Sequence, residues 1–229
     1  MKPYPQPRTP VSLSDSVHHQ LNMYALAASA AGVGVLVLAQ PAEGKIVYTP
    51  ANIPINVKEG IVYLDLNHDR INDFSFLNTT WGGGSQWAGA LSVGPAQQSN
   101  GILQFKGGSC QHCASALPKG RKVGSKGPFA GSKLIMAYYQ SGLYANTSYG
   151  PWRKAQQAYL GLKFMIKGKV HYGWARVKTL ARSSGYKATI TGYAYETIAN
   201  KAIVTGRTKG VDVITVQSGS LGLLALGRK

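Results

Sequence analysis

The chain has 229 residues, 44% hydrophobic and only 14% charged, with 28 glycines and 13 tyrosines. This balance excludes a disordered chain, because apolar segments recur throughout, and its turn and strand formers argue for an all-β domain over a helical one. Net charge is +17, and the leading 44 residues are balanced (Lys2 and Arg8 against Asp15 and Glu43), so the whole excess lies downstream. Such a field favours polyanionic partners and says nothing about fold.

Residues 23–39 are apolar and uncharged, follow the cations Lys2 and Arg8, and precede small residues at Ala42 and Gly44. That order matches an export signal cut before Lys45. Left uncut, the same segment would be a short membrane anchor. The predicted division is therefore a signal or anchor at 1–44, a folded domain at 45–215 and a short tail at 216–229.

Short β-rich runs follow at 45–49, 53–57, 60–64 and 74–77, separated by Pro, Gly and polar turns. Residues 78–101 are rich in Gly, Ser, Asn and Gln and hold Trp81 and Trp87. They read as a long loop with at most one short strand. Strand character returns at 102–105. The Gly-, Lys- and Pro-rich stretch 106–132 is too long for an ordinary connection, so it is either functional or loosely ordered. After 133–139 and a polar stretch at 140–157 come three long runs, 158–166, 170–180 and 186–198, whose spacing predicts an antiparallel meander. Alternation puts Leu162, Phe164 and Ile166 on one face of the first run. In the second, Tyr172, Trp174, Arg176 and Lys178 share a face opposite Gly173, Ala175 and Val177. The expected architecture is an antiparallel β-sandwich or jelly roll.

The most specific local feature is acidic. Asp65, Asn67 and Asp69 alternate, Ile71 could offer a backbone carbonyl, and Asp73 closes a nine-residue loop. Oxygens so placed can wrap one hard cation such as Ca²⁺. The loop is no EF-hand, because Arg70 stands where glycine is usual and Phe76 where a bidentate Glu is required. The competing reading is an Asx-rich turn between two strands.

Cys110 and Cys113, with His112 between them, supply too few ligands for zinc and lack the strand-to-helix setting of a redox motif. In an exported protein they read as a small disulfide or a pair of thiols. His171 reads as a packed strand residue. Lys119, Arg121, Lys122 and Lys126 put four cations into eight residues, either a polyanion-binding segment or a solvated loop. Trp174, Tyr193 and Tyr195 beside Arg176 and Lys178 could form an aromatic platform, although a strand Trp is more often core. No nucleophile elbow, phosphate loop or metalloprotease motif is present, so no catalytic residue is assigned.

Three short motifs carry a resemblance. Residues 173–177 read Gly-Trp-Ala-Arg-Val, 193–197 read Tyr-Ala-Tyr-Glu-Thr, and 201–206 lead through small residues toward the tail. In these the chain resembles exported bacterial proteins with PEP-CTERM-type sorting tails. Its start near Lys45 and its acidic loop are similar to exported proteins of soil bacteria such as acidobacteria. Residues 216–229 look like a degenerate or truncated version of such a tail, with a small-residue start and a basic end but no Pro-Glu-Pro.

The resemblance implies a secreted or cell-surface protein and brings no activity with it. The sequence thus leads to an exported, non-enzymatic binding or structural protein, with an anionic polysaccharide or envelope polymer as partner. Extracellular DNA is a lesser candidate partner, and membrane contact would run only through the N-terminal segment. The alternative is a polysaccharide-acting enzyme on a similar scaffold.

Overall fold

The computed structural model describes residues 45–108, 110–142, 146–182 and 185–209. The expected export segment and tail lie outside the described residues.

Strands are β1 (Ile46–Ile55), β2 (Ile61–Leu64), β3 (Phe74–Gly83), β4 (Gln86–Pro95), β5 (Gly101–Leu103), β6 (Lys122–Val123), β7 (Phe129–Ala130), β8 (Leu134–Ser141), β9 (Thr147–Tyr149), β10 (Gln157–Ile166), β11 (Lys169–Arg182), β12 (Gly185–Glu196) and β13 (Ile203–Val204). Single 3-10 turns lie at Val57–Glu59 and Pro151–Arg153. One sheet has six strands in the order β1-β12-β11-β10-β5-β7, a second has five in the order β2-β3-β4-β8-β9, and β13 pairs with β6 in a small ribbon. Every pairing between these strands is antiparallel. The chain is an all-β sandwich.

The meander forms as its alternation dictates. Leu160, Leu162 and Phe164 of β10, Ala175 and Val177 of β11 and Ile190 of β12 point to one side. There they meet Phe74, Phe76, Leu91, Val93, Leu134 and Met136 of the five-stranded sheet in a single core. Each such side chain contributes about 1.5–3 kcal/mol by leaving water. Lys167 and Gly168 both take positive φ (48° and 75°) between the paired Ile166 and Lys169. A two-residue hairpin loop needs that backbone to match the strand twist. β1 lies at the margin of its sheet, which is why Pro50 and Pro54 are tolerated within it, and the register shifts between Pro50 and Ile53.

One expectation is corrected and another is narrowed. Residues 78–101 are mostly strand, not loop: β3 and β4 pair without interruption from Phe74 against Pro95 to Gly83 against Gln86, around a turn at Gly84 (φ 61°). Their Gly and Ala residues make room for neighbours, since a Cβ on Gly89 would lie 2.4 Å from the Tyr139 ring. Of the two readings of residues 106–132, functional or loosely ordered, the second is set aside, because the described residues of the stretch are built into the fold. Ala114 donates its N–H to Ile135 of the five-stranded sheet, while Ser115 donates to Leu103 of the six-stranded one, both at 2.9 Å. This segment therefore joins the two layers along one side.

The outer surface of the six-stranded sheet is also covered. Tyr159, Tyr172 and Trp174 project there and are buried beneath Val123 and Ile203, with Leu117 and Phe129 alongside. The chain returns to this face through a turn shaped by buried Glu196. Its carboxylate accepts the Ile198 N–H at 3.2 Å and pairs with Lys201 at 3.4 Å. Buried Thr205 then accepts the Arg121 N–H at 2.9 Å and donates its hydroxyl to the Pro118 carbonyl at 2.8 Å. Motif 173–177 thus lies in β11 and motif 193–197 at the end of β12, while 201–206 belongs to the strap that covers them.

Candidate functional site

The strap and residues 117–130 enclose a cleft of about 540 Å³ over the covered face. Arg121, Lys122 and Lys126 line it, above an apolar floor of Leu103, Leu117, Pro128 and Ala202. Three of the four cations of the basic run in the sequence therefore converge. Lys119 stands outside the lining, where its Cγ lies close to Gly206.

Local structure fixes this arrangement. Lys122 pairs with Val204 across the ribbon, setting its register. Gly127 donates to the Gly124 carbonyl at 2.9 Å, closing a tight turn that carries Lys126. A Cβ on Gly124 would lie 2.7 Å from that of Ala202, so only glycine lets the two walls approach so closely. Asn200, also in the lining, takes φ 61°, and its N–H is held by the Val170 carbonyl at 2.8 Å. Leu103, Asn200 and Ala202 are the contributions that sequence reasoning missed. Only the Ala-Asn-Lys turn chemistry at 199–201 hinted at them.

All three cleft cations are exposed. Among the described residues, the one ion pair is Lys201 with Glu196. Among the described residues, then, no carboxylate pairs with a cleft cation, and the walls are poised to attract anions.

The acidic loop is organised by its own backbone. Asp65 accepts the N–H of His68 at 2.7 Å on one oxygen and that of Arg70 at 2.7 Å on the other. Asp69 accepts from Ile71 at 2.9 Å and from the Asn67 amide at 2.9 Å. His68 and Arg70 sit at φ 62° and 71°, a backbone that costs a non-glycine residue about 1 kcal/mol. His68 is further held by the Thr49 hydroxyl at 3.1 Å. Asp73 is buried, accepts the Leu66 N–H at 2.8 Å and receives Asn100 at 3.3 Å. Burial pushes its carboxyl up to about 6 against the pull of the hydrogen bonds from Leu66 and Asn100, and Asp65 and Asp69 push in the same upward direction. Among the described residues, no three His, Cys, Asp or Glu side chains are grouped so as to hold a metal ion. A cation entering here would compete with N–H donors for Asp65.

Cys110 and Cys113 are joined in a disulfide with their Cα atoms 5.6 Å apart. His171 is buried, and its Nδ1 lies 2.9 Å from the Glu196 carbonyl. Trp174 is core, as a strand Trp more often is, and the alternative of an aromatic platform with Tyr193 and Tyr195 is not formed. Trp174 stands opposite Ala194, and Ala175 opposite Tyr193, so the two large rings project to opposite faces. Trp174 is fully buried in the outer cluster and Tyr193 belongs to the central core. Arg176 is tied to Thr191 by bonds of 2.8 and 2.9 Å.

The fold and cleft define an antiparallel β-sandwich whose second, strapped layer carries a basic groove. No protein-family model, curated protein or solved structure matches the chain.

Proposed function

We propose that this chain is an exported, non-enzymatic protein of the cell surface or secreted matrix that holds an anionic polysaccharide or envelope polymer in its basic cleft. One observation carries the reading: Arg121, Lys122 and Lys126 line one groove with an apolar floor. Cations confined between low-dielectric walls focus the field of a chain carrying +17, and a polymer with repeated negative groups meets several of them at once. The resemblance of residues 173–206 to exported proteins supports the location.

A binding role is favoured over catalysis by how four of the described carboxylates are used. Asp65, Asp69 and Asp73 brace a loop, and Glu196 shapes the strap. General acid–base work needs such groups directed at a substrate.

The test is retention on an immobilised anionic polysaccharide, with duplex DNA as a second matrix. Elution should require less salt once Lys119, Arg121, Lys122 and Lys126 are changed to Gln. The slope of log affinity against log salt should become shallower by about one for each cation that had faced the polymer. Retention indifferent to both salt and these substitutions would end the proposal. Stronger retention on DNA at matched salt would shift the partner to nucleic acid.

A further inference from the structure

The other outer surface, that of the five-stranded sheet, has a different chemistry. On β3, Phe74, Phe76 and Asn78 are buried, so the alternate residues Ser75, Leu77, Thr79 and Trp81 face outward. Pairing carries this parity across the sheet. Trp81 stands opposite Ala88, Thr79 opposite Ala90, Ala90 opposite Tyr138, and Tyr138 opposite Tyr149.

The small residues of β4 therefore lie between an aromatic strand on each side. Trp81 and Tyr138 reach over them to a centroid separation of 6.2 Å, and Tyr138 stacks on Tyr149 at 4.6 Å. At the hairpin tip Trp81 and Trp87 are 49% and 45% exposed. They border a small cleft of about 120 Å³ whose remaining lining includes Gln86, Gln140 and Ser141 and no charged side chain. The Trp87 indole is pinned by its N–H bond to the Gly84 carbonyl at 3.1 Å, and the Tyr138 hydroxyl donates to Gln140 at 2.9 Å.

We propose that this strip binds uncharged sugar residues of a polysaccharide. Trp81 would stack on a pyranose face, Tyr138 and Tyr149 would extend the stacking surface along the chain, and Gln86 and Gln140 would hydrogen-bond the ring hydroxyls. The reasoning is chemical complementarity. A pyranose presents apolar C–H faces ringed by hydroxyls. It therefore asks for flat aromatic surface beside neutral donors and acceptors, and that combination meets here. An anion finds no cation in this cleft. A protein partner or second copy would leave the Gln amides to be desolvated and matched one by one. The proposal is independent of the basic cleft, which lies on the opposite layer.

The experiment uses the intact exported chain with cellohexaose, xylohexaose, mannohexaose and chitohexaose as probes, followed by tryptophan fluorescence and calorimetry. At least one should bind with Kd between about 10 μM and 1 mM and should do so equally in about 1 M NaCl. Trp81→Ala should weaken it about tenfold or more, Trp81→Phe should restore part of the loss, and Gln140→Ala should weaken it about threefold to tenfold. The Lys119, Arg121, Lys122 and Lys126 variant should bind these probes as the parent does. Gln140→Ala alters no ring, so it remains readable if Trp81→Ala fails to fold. Absence of binding at millimolar sugar, binding abolished by salt, or unchanged affinity in both Trp81→Ala and Gln140→Ala would overturn the proposal. So would sedimentation showing that Trp81→Ala converts an oligomer to a monomer, which would assign the strip to self-association.

Discussion

The two outer faces of the sandwich share one resource, aromatic side chains on a strand's outward parity, and use it in opposite ways. On the six-stranded sheet Trp174 and Tyr172 are sealed under the strap, and the cations gather above them. On the five-stranded sheet Trp81 is exposed and Tyr138 and Tyr149 are half-buried, all with neutral partners. An aromatic in a strand is therefore neither core nor platform by itself. What decides is whether a later segment of chain returns to cover it. Here residues 197–205 return to one layer only.

The sharpest way to break this contrast is to truncate one tryptophan on each face. Trp174→Ala should cost about 3–5 kcal/mol, as for other large core aromatics, because the strap loses its footing. Trp81→Ala, at a half-exposed ring touching Tyr138, should cost only about 1 kcal/mol. Chemical denaturation of both variants measures the difference, and equal costs would mean the strap is not a second core.

A smaller effect sits where the layers meet. Leu66, fully buried, is carried by the acidic loop to within reach of Gly173, where a Cβ would lie 2.7 Å from it. The loop holds it there through the Leu66 N–H bond to Asp73. Asp73 has its carboxyl raised to about 6 from an ordinary 3.8, so the folded state retains this proton more tightly than the unfolded chain. Its stabilising contribution is complete below about pH 4 and is lost as pH rises through about 6, a change of about 2–3 kcal/mol. Urea melts across that range should show the decline, and Asp73→Asn should flatten it.

The smallest expected effect is that of calcium. Both Asp65 oxygens already accept backbone N–H bonds. Millimolar Ca²⁺ or a chelator should therefore move the melting midpoint by less than about 1 °C. A rise of several degrees would instead make Asp65, Asn67, Asp69, the Ile71 carbonyl and Asp73 a cation cage that ties the layers together.

What is legible in the sequence follows the same division. β10, β11 and β12 can be read because long alternating runs face a core on one side and are joined by short turns. The β3–β4 hairpin cannot, because its Gly, Ala, Ser and Asn residues mimic a loop and its aromatics are few. Gly82, Gly83 and Gly84 are in fact its turn signal. The cations of 119–126 are visible as a charge run. Their convergence is not, because it depends on Val123 pairing with Ile203 eighty residues later. Whether Trp174 and Tyr193 share a face is not legible either, because the register that turns Tyr193 to the opposite side is a property of the sheet, not of either strand.

The prolines of β1 have a consequence for crowding. At high local concentration, bare sheet margins tend to zip together into fibres. Pro50 and Pro54 remove donors from that margin, and the irregular step before Ile53 bends it out of line. Crowded copies can therefore sit side by side without being templated into one another along β1.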